Sequence, residues 1–316
     1  MPKLLITSIA DKIPHLKAAE LAIQNSQYFT DLIPSDCDEN CIAAHINKNF
    51  WKTQPIQNLS PTKFIKECER KEIRAIIPTR SGELDYFASN LDVFAANNLH
   101  ILCSNKQAIH YFTNKTVFFE KAKQQFQPNM IPVLKRESLN DSYSRFVVKE
   151  ECGCGSMDLK LDLNAEEALI QSKELLKPIF QPFIQGREFS ADSYVDKKGT
   201  CLGTVLRWRN LVRNGESQIT QIFRHKKIEE WISRFLEEHH LYGHAVTQGL
   251  IQDNGTFSII ETNPRIGGAS TASIEAGLDS FSWFLLEASG KTLQLDRRNL
   301  KIKELTMTRY KKDTFS

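Results

Sequence analysis

Gln248, Glu261, Asn263 and Arg265 are the side chains whose types and spacing offer the most chemistry. They lie in a run over 246–265 that is apolar, then Asp253-Asn254-Gly255, then apolar again, ending in Glu261-Thr262-Asn263-Pro264-Arg265. Asn-Gly between two apolar runs is a strong hairpin signal, because both residues tolerate the positive φ of a type I′ turn. A two-residue turn pairs Asp253 with Thr256, and counting back along both strands sets Gln248 opposite Glu261. Opposed residues share a sheet face with Cβ atoms ~4.5–5.5 Å apart. Asn263, two residues on, points to that face as well. One carboxylate among amide oxygens suits Mg²⁺ whose other positions are filled by phosphate oxygens and water; Mn²⁺ would accept the same donors. Arg265 then lies within reach of a transferring phosphoryl group or the acyl phosphate it makes. The alternative is a polar, solvent-facing sheet, and a longer loop or a bulge would move the register.

The elements that must hold this hairpin can be read in two blocks. Over the first hundred or so residues, strand and helix signals alternate: a buried-strand run at 4–7, Ser60-Pro61 opening a helix with Phe64, Ile65 and Cys68 on one side, then apolar runs at 75–77 and 99–103. This predicts a small parallel sheet with helices on its faces. No G-x-G-x-x-G follows its first strand, which argues against a nicotinamide or flavin dinucleotide. Ligands of such sheets sit beyond the carboxyl ends of the strands, so Arg80 and Glu83, after the strand ending at Pro78, are candidates to touch substrate; a solvated loop with a local ion pair is the other reading. Residues 105–126 read as helical and basic. Beyond them come strands at 146–149, 189–195, 201–207, 218–223, 245–252 and 256–262, interrupted by helices opening at Asn164 and spanning about 227–239. That pattern predicts an α+β domain of mostly antiparallel strands, with residues 309–316 frayed.

Composition bounds the function. The chain has 316 residues, 41 Lys+Arg against 38 Asp+Glu, and 41% hydrophobic residues, an ordinary globular balance of about two domains. A net charge of +3 gives no footprint for nucleic acid or membrane, and no apolar run approaches a bilayer span. The N-terminus reads as a first strand and not as a signal peptide. Seven scattered cysteines imply no disulfide framework and fit a reducing cytoplasm. Cys37, Cys41 and His45 could share a helical face, but without a fourth ligand they read as half-buried packing and not as a zinc site.

Taken in order, the motifs of residues 105–290 resemble the ATP-grasp superfamily, particularly the ATP-grasp modules of carbamoyl-phosphate synthetase large subunits and stand-alone carboxylate–amine ligases. Glu261-x-Asn263-Pro264-Arg265 resembles the family's magnesium- and phosphate-binding signature. The resemblance implies an α/β pre-ATP-grasp domain over 1–104 and a two-lobed ATP-grasp domain over 105–316, with a lid at about 116–184. It implies that Lys149, ending a strand, binds ATP phosphates under the small-residue loop Cys152-Gly153-Cys154-Gly155-Ser156, where glycines admit backbone N–H groups to an anion. Cys152 and Cys154 would be present as small residues. Lys115, in preference to Lys106, would reach the phosphates from the preceding helix, although Asn114 stands where the family usually has aspartate. Gln181, Phe183 and Ile184 fall on the adenine hinge, with Gln181 where many relatives carry an acid, and Glu188 would accept from the ribose hydroxyls. Arg207, Arg209 and Arg213 fall where the family often has arginines near an acidic substrate, whereas His225 reads as a helix start.

The activity implied is ligation: ATP phosphorylates a carboxylate, and an amine or thiol displaces phosphate, leaving ADP and phosphate. Lys149 and Arg265 would be the catalytic charges. The rival readings are an ATP-grasp small-molecule kinase, which would leave a stable phosphorylated product, and an ATP-binding regulatory module without turnover. One module is too little for full carbamoyl-phosphate synthesis. Small-molecule acid and amine partners are implied, with a homodimer left open; which acid and which amine is not encoded in any shared motif.

Overall fold

A computed structural model of the chain describes residues 1–126, 129–139, 143–152, 160–213, 215–294 and 300–314. The first part is the expected parallel sheet: β1 (Lys3–Thr7), β2 (Asp31–Asp36), β3 (Trp51–Lys52), β4 (Ile73–Pro78) and β5 (His100–Ile101), in the order β3-β2-β1-β4-β5. β2 is not evident in the sequence, because Pro34 interrupts a short run that would otherwise read as a strand; it nonetheless pairs with Ile6 on β1. Leu4, Leu5, Ile6, Ile76 and Ile77 are fully buried, as parallel strands covered on both faces require. The chain crosses from β1 to β2 on one side and returns through β4 on the other, so the order reverses at β1 and β4. Their carboxyl ends therefore flank a crevice, formed by residues 8–12 after β1 and 79–81 after β4. The helix Pro61–Arg70 opens at Ser60 as read, with Phe64 and Cys68 buried.

A small antiparallel sheet follows, with β6 (Phe146–Glu150), β7 (Lys160–Leu163) and β8 (Pro178–Pro182) in the order β7-β6-β8. The helix Ala165–Ser172 packs on it and starts with a reciprocal capping box between Asn164 and Glu167. The largest sheet holds β9 (Arg187–Val195), β10 (Cys201–Arg213), β11 (Glu216–Phe223), β12 (Gly243–Ile251), β13 (Phe257–Asn263) and β14 (Thr306–Thr308), ordered β13-β12-β9-β10-β11-β14. On one face, Phe189, Ala191, Ala245 and Ile259 pack against Ile228, Ile232, Phe235 and Leu236 of the helix Lys226–Glu238. His225 caps that helix through Nδ1, as its position implied. The opposite face turns toward the N-terminal sheet.

Two departures from the expected hairpin cancel. The turn is longer: Gln252 N–H donates to Thr256 O at 2.9 Å, enclosing Asp253, Asn254 and Gly255, with Gly255 at φ +81°. A bulge then falls between Gln248 and Gly249, where Gly249 pairs with Ile259 but Gln248 pairs with Glu261. Ile260 is the extra residue. Gln248 therefore does face Glu261, and the bulge puts Glu261 on the opposite face from Ile259, which a regular strand would not.

The C-terminal segment also differs from expectation. Arg309 is not frayed: its N–H donates to Gln218 O at 2.9 Å and continues the pairing of β14 with β11.

Candidate active site

On the open face of the largest sheet, Glu261 is the centre of a polar cluster. Asn263 Nδ2 donates to Glu261 Oε1 at 2.9 Å. With its amide oriented to satisfy both neighbours, Gln248 donates to the same oxygen at 3.0 Å and accepts from Arg209 Nη1 at 3.2 Å. Arg209 Nε in turn lies 3.0 Å from Glu188 Oε1. Arg209 thus bridges Glu188 and the Gln248–Glu261 pair, and like Arg207 it lines the pocket.

Two buried lysines complete this end. Lys115 starts the helix Lys115–Phe126, whose N-terminus is capped by Asn114 Oδ1 accepting from Val117 N at 2.9 Å, a role asparagine fills as well as aspartate. Its Nζ is 3.9 Å from Glu261 Oε2; Lys106 is exposed. Lys149 on β6 is buried, and burial pushes its pKa down to about 8, with Glu261 holding it up and Lys115 pressing it further down. Both ammonium groups therefore act on the one carboxylate of Glu261. One carboxylate with two amides fits a divalent ion shared with phosphate oxygens.

The pocket continues away from the lysines for about 300 Å³. Its floor is Arg207, whose Nε donates to Asp192 Oδ2 at 2.6 Å. Asp192 is fully buried and also accepts from Ser273 Oγ at 2.7 Å, from Ser270 Oγ and from His244 Nε2 at 3.1 Å. Burial opposes its ionisation, but Arg207 and His244 outweigh that and hold it well below the usual carboxylate range. Ser270 Oγ accepts from Gly267 N at 2.8 Å, while His15 Nε2 donates to Gly267 O at 2.8 Å. The chain after Arg265 is thus gripped from both sides. A Cβ on Gly267 would lie 2.9 Å from Val246 Cγ2 and 3.8 Å from Arg207 Nη2, so only glycine lets this backbone run so close over the floor.

The remaining wall comes from the N-terminal sheet. Arg265 Nε donates to Ser81 Oγ at 2.7 Å and its Nη1 to Ile266 O at 2.8 Å. Lys12 and Arg80 also line the pocket. Over the top, Arg309 pairs with Glu216 at 3.0 Å and donates to Gly268 O. Lys12, His15, Asp192 and Arg309 are not apparent as site residues in the sequence. No motif marks them, and they meet only because three separate chain segments converge.

Some expected residues lie elsewhere. Glu83 does not face the pocket: it is buried and accepts from Thr7 Oγ1 at 2.7 Å and from Ser8 Oγ, and burial raises its pKa against those bonds. Arg213 is exposed at the end of β10 and does not line the pocket, although its register partner Glu216 does. Phe183 N–H donates to Arg145 O at 2.9 Å. Gln181 is buried with Nε2 donating to Ile131 O at 3.2 Å, tying β8 to its neighbour. Gly153, Cys154, Gly155 and Ser156 lie outside the described residues; Cys152 is exposed. Cys41 is buried while Cys37 and His45 are exposed, and among the described residues no three His, Cys, Asp or Glu side chains converge as a metal site.

A family model described as ATP-grasp domain matches residues 112–269, half of the 316. The chain belongs to the ATP-grasp family. The fold is shared by solved structures of low identity. Biotin carboxylase from Campylobacter jejuni, in a β,γ-ATP complex, has a TM-score of 0.75 at 16% identity, covering 96% of this chain and 74% of that one. The biotin carboxylase domain of Hydrogenobacter thermophilus 2-oxoglutarate carboxylase, with MgADP, ADP and bicarbonate, gives 0.75 at 14% over 96% and 73%. N5-carboxyaminoimidazole synthetase from Staphylococcus aureus gives 0.66 at 15% over 92% and 78%. No curated protein matches by sequence.

Proposed function

We propose that this chain is an ADP-forming carboxylate–amine (or thiol) ligase that activates its acid as an acyl phosphate. The observation that supports it most is the convergence of Gln248, Glu261 and Asn263 with Lys115 and Lys149 at one end of a pocket whose other end is lined by arginines. In this reading Lys115 and Lys149 neutralise the ATP phosphates. Phe183 O and Ile184 N meet the adenine edge, while Glu188, held by Arg209, accepts from the ribose. Gln248, Glu261 and Asn263 hold Mg²⁺, which supplies charge neutralisation at the phosphates. Arg209 joins the nucleotide end, and Arg207 with Arg265 orients the acid.

The chemistry asked of the protein is positioning and electrostatics. A carboxylate oxygen attacks the γ-phosphorus as the bond to ADP breaks. The nucleophile then attacks the acyl carbon, phosphate leaves, and a proton is released. Arg265, tied to Ser81, faces charge on the transferred group. Free thiols at Cys37, Cys41, Cys68, Cys103, Cys152 and Cys201 suit a reducing cytoplasm, and no helix among the described residues is long and apolar enough to cross a membrane.

The test is a screen of amino acids and small acids, with amines supplied, for stimulated release of ADP and phosphate together. Glu261→Ala should lower that release by at least about 100-fold, with an unchanged circular dichroism spectrum. Equal turnover in a folded variant rejects the assignment, and ADP with a stable phosphorylated acid would indicate a kinase.

A further inference from the structure

Arg207, Arg265, Lys12 and Arg80 all line the end of the pocket away from Lys115 and Lys149. Arg207 forms the floor, and its Nη1 is buried with no hydrogen-bond partner among the described residues, although Nε is held by Asp192. An orphaned, buried guanidinium N–H is costly unless a ligand takes it up. Arg265 lines the same pocket from the loop after β13, two residues before Gly267, which runs close to Arg207.

Lys12 and Arg80 then approach from the N-terminal sheet, at the carboxyl ends of β1 and β4 where a ligand crevice is expected. Lys12 Nζ is fixed by neutral groups, donating to Ser8 O at 2.7 Å and Thr79 Oγ1 at 2.8 Å. The carboxylates of Glu83 and Asp36 act on its charge through space while bonded to other groups. Glu83 accepts from Thr7 and Ser8 hydroxyls, and Asp36 accepts from Ala10 N at 3.0 Å and Asp38 N at 3.1 Å. Arg80 is exposed at the pocket mouth; burial lowers the Lys12 pKa, Glu83 and Asp36 oppose that, and Arg265 and Arg80 add to it. A substrate with a single carboxylate against Arg207 and Arg265 would leave this second pair facing water.

We propose that the acid substrate carries two anionic groups: the carboxylate to be activated lies against Arg207 and Arg265, and a second carboxylate or a phosphate lies against Lys12 and Arg80. This rests on the ligase reading for which end is activated, but the two-anion site can be measured without turnover. Calorimetric titration of the full chain, without nucleotide, would compare aspartate with asparagine, succinate with butyrate, and phosphoserine with serine. At least one dianion should bind at least tenfold more tightly than its partner compound, and which pair does so separates carboxylate from phosphate. Arg80→Ala should bring that ratio to within about twofold of one, and Arg80→Lys should restore most of it. Equal binding within every pair, no binding by any dianion, or a preference that survives both Arg80→Ala and Lys12→Met overturns the proposal. ADP release with Mg·ATP separates the two claims. Stimulation by mono-acids without dianion preference overturns the two-anion site and keeps the ligase. Dianion preference in binding with no ADP release from any acid does the reverse.

Discussion

Asp192 touches no substrate in this account, yet Arg207, His244, Ser270 and Ser273 all depend on it. Truncating one partner of a buried ion pair leaves the other charge uncompensated, so Asp192→Ala should destabilise the chain by roughly 3–5 kcal/mol in urea unfolding. A loss below about 1 kcal/mol would mean Arg207 is hydrated and the floor is not closed. At this scale the sequence was legible where one short segment holds the residues. Glu261, Asn263 and Arg265 are neighbours, and Gln248 follows from strand pairing. Asp192 was not legible, because a lone aspartate in an apolar strand has no spacing to read. Arg309 was missed for a related reason: a polar C-terminal stretch looks solvated until β14 is seen to dock on β11. The arginines of β10 illustrate a finer limit. Their alternation is visible, but that Arg209 serves the Glu188–Glu261 end, Arg207 the floor and Arg213 neither depends on where the strand passes the pocket.

Among the elements, the hairpin of β12 and β13 decides whether the site exists. Its bulge turns Glu261 and Asn263 away from the helix-packed face that Ile259 occupies. Gly249 sits at that irregularity, where a Cβ would meet Ser258 O at 2.6 Å and Phe189 Cζ at 2.7 Å. Gly249→Ala must therefore shift backbone or a core aromatic, costing ~1–3 kcal/mol, and it should reduce acid-stimulated ADP release by displacing Gln248. Gly255→Ala is the control. Its space is open, and its positive φ should cost only about 1 kcal/mol with turnover retained. Equal effects of the two substitutions would mean the bulge does not position the cluster. The pairing of Gln248 with Glu261 was predicted through a two-residue turn that does not form. A longer turn and a bulge offset each other, and no residue type in the segment announces either. The helices and longer strands were read more directly, since Ser60-Pro61 and the Asn164–Glu167 box encode their own starts. β2 and β7 were not: Pro34 interrupts β2, and β7 alternates two leucines with Lys160 and Asp162 over four residues.

The whole molecule is joined at the pocket, and His15 is one of the joints. Lying in the helix after β1, it donates from Nε2 to Gly267 O in the loop after β13. Burial pushes its pKa down to about 4 from an ordinary 6.5. The folded state therefore keeps His15 neutral where the unfolded chain is protonated. Below pH 6.5 the unfolded state binds the extra proton, so stability falls with pH and the loss is complete below about 4. From pH 7 to pH 5 this amounts to about 2 kcal/mol, measured as the difference between wild type and His15→Gln in urea unfolding at each pH. A difference that does not change with pH would show His15 to be solvated. The same convergence of distant segments explains why the parallel sheet and the antiparallel sheets were legible separately while their shared pocket was not. Periodicity reports which face of an element is apolar, not which other element meets it.

The central claim is that Gln248, Glu261 and Asn263 grip a divalent cation between the protein and the ATP phosphates. Calorimetric titration of ATP with and without Mg²⁺, into wild type and Glu261→Ala, tests it most directly. Wild type should bind Mg·ATP at least about tenfold more tightly than metal-free ATP, and Glu261→Ala should lose that advantage while still binding metal-free ATP through Lys115 and Lys149. Equal affinity with and without Mg²⁺ in wild type, or an undiminished Mg²⁺ advantage in the variant, would contradict it.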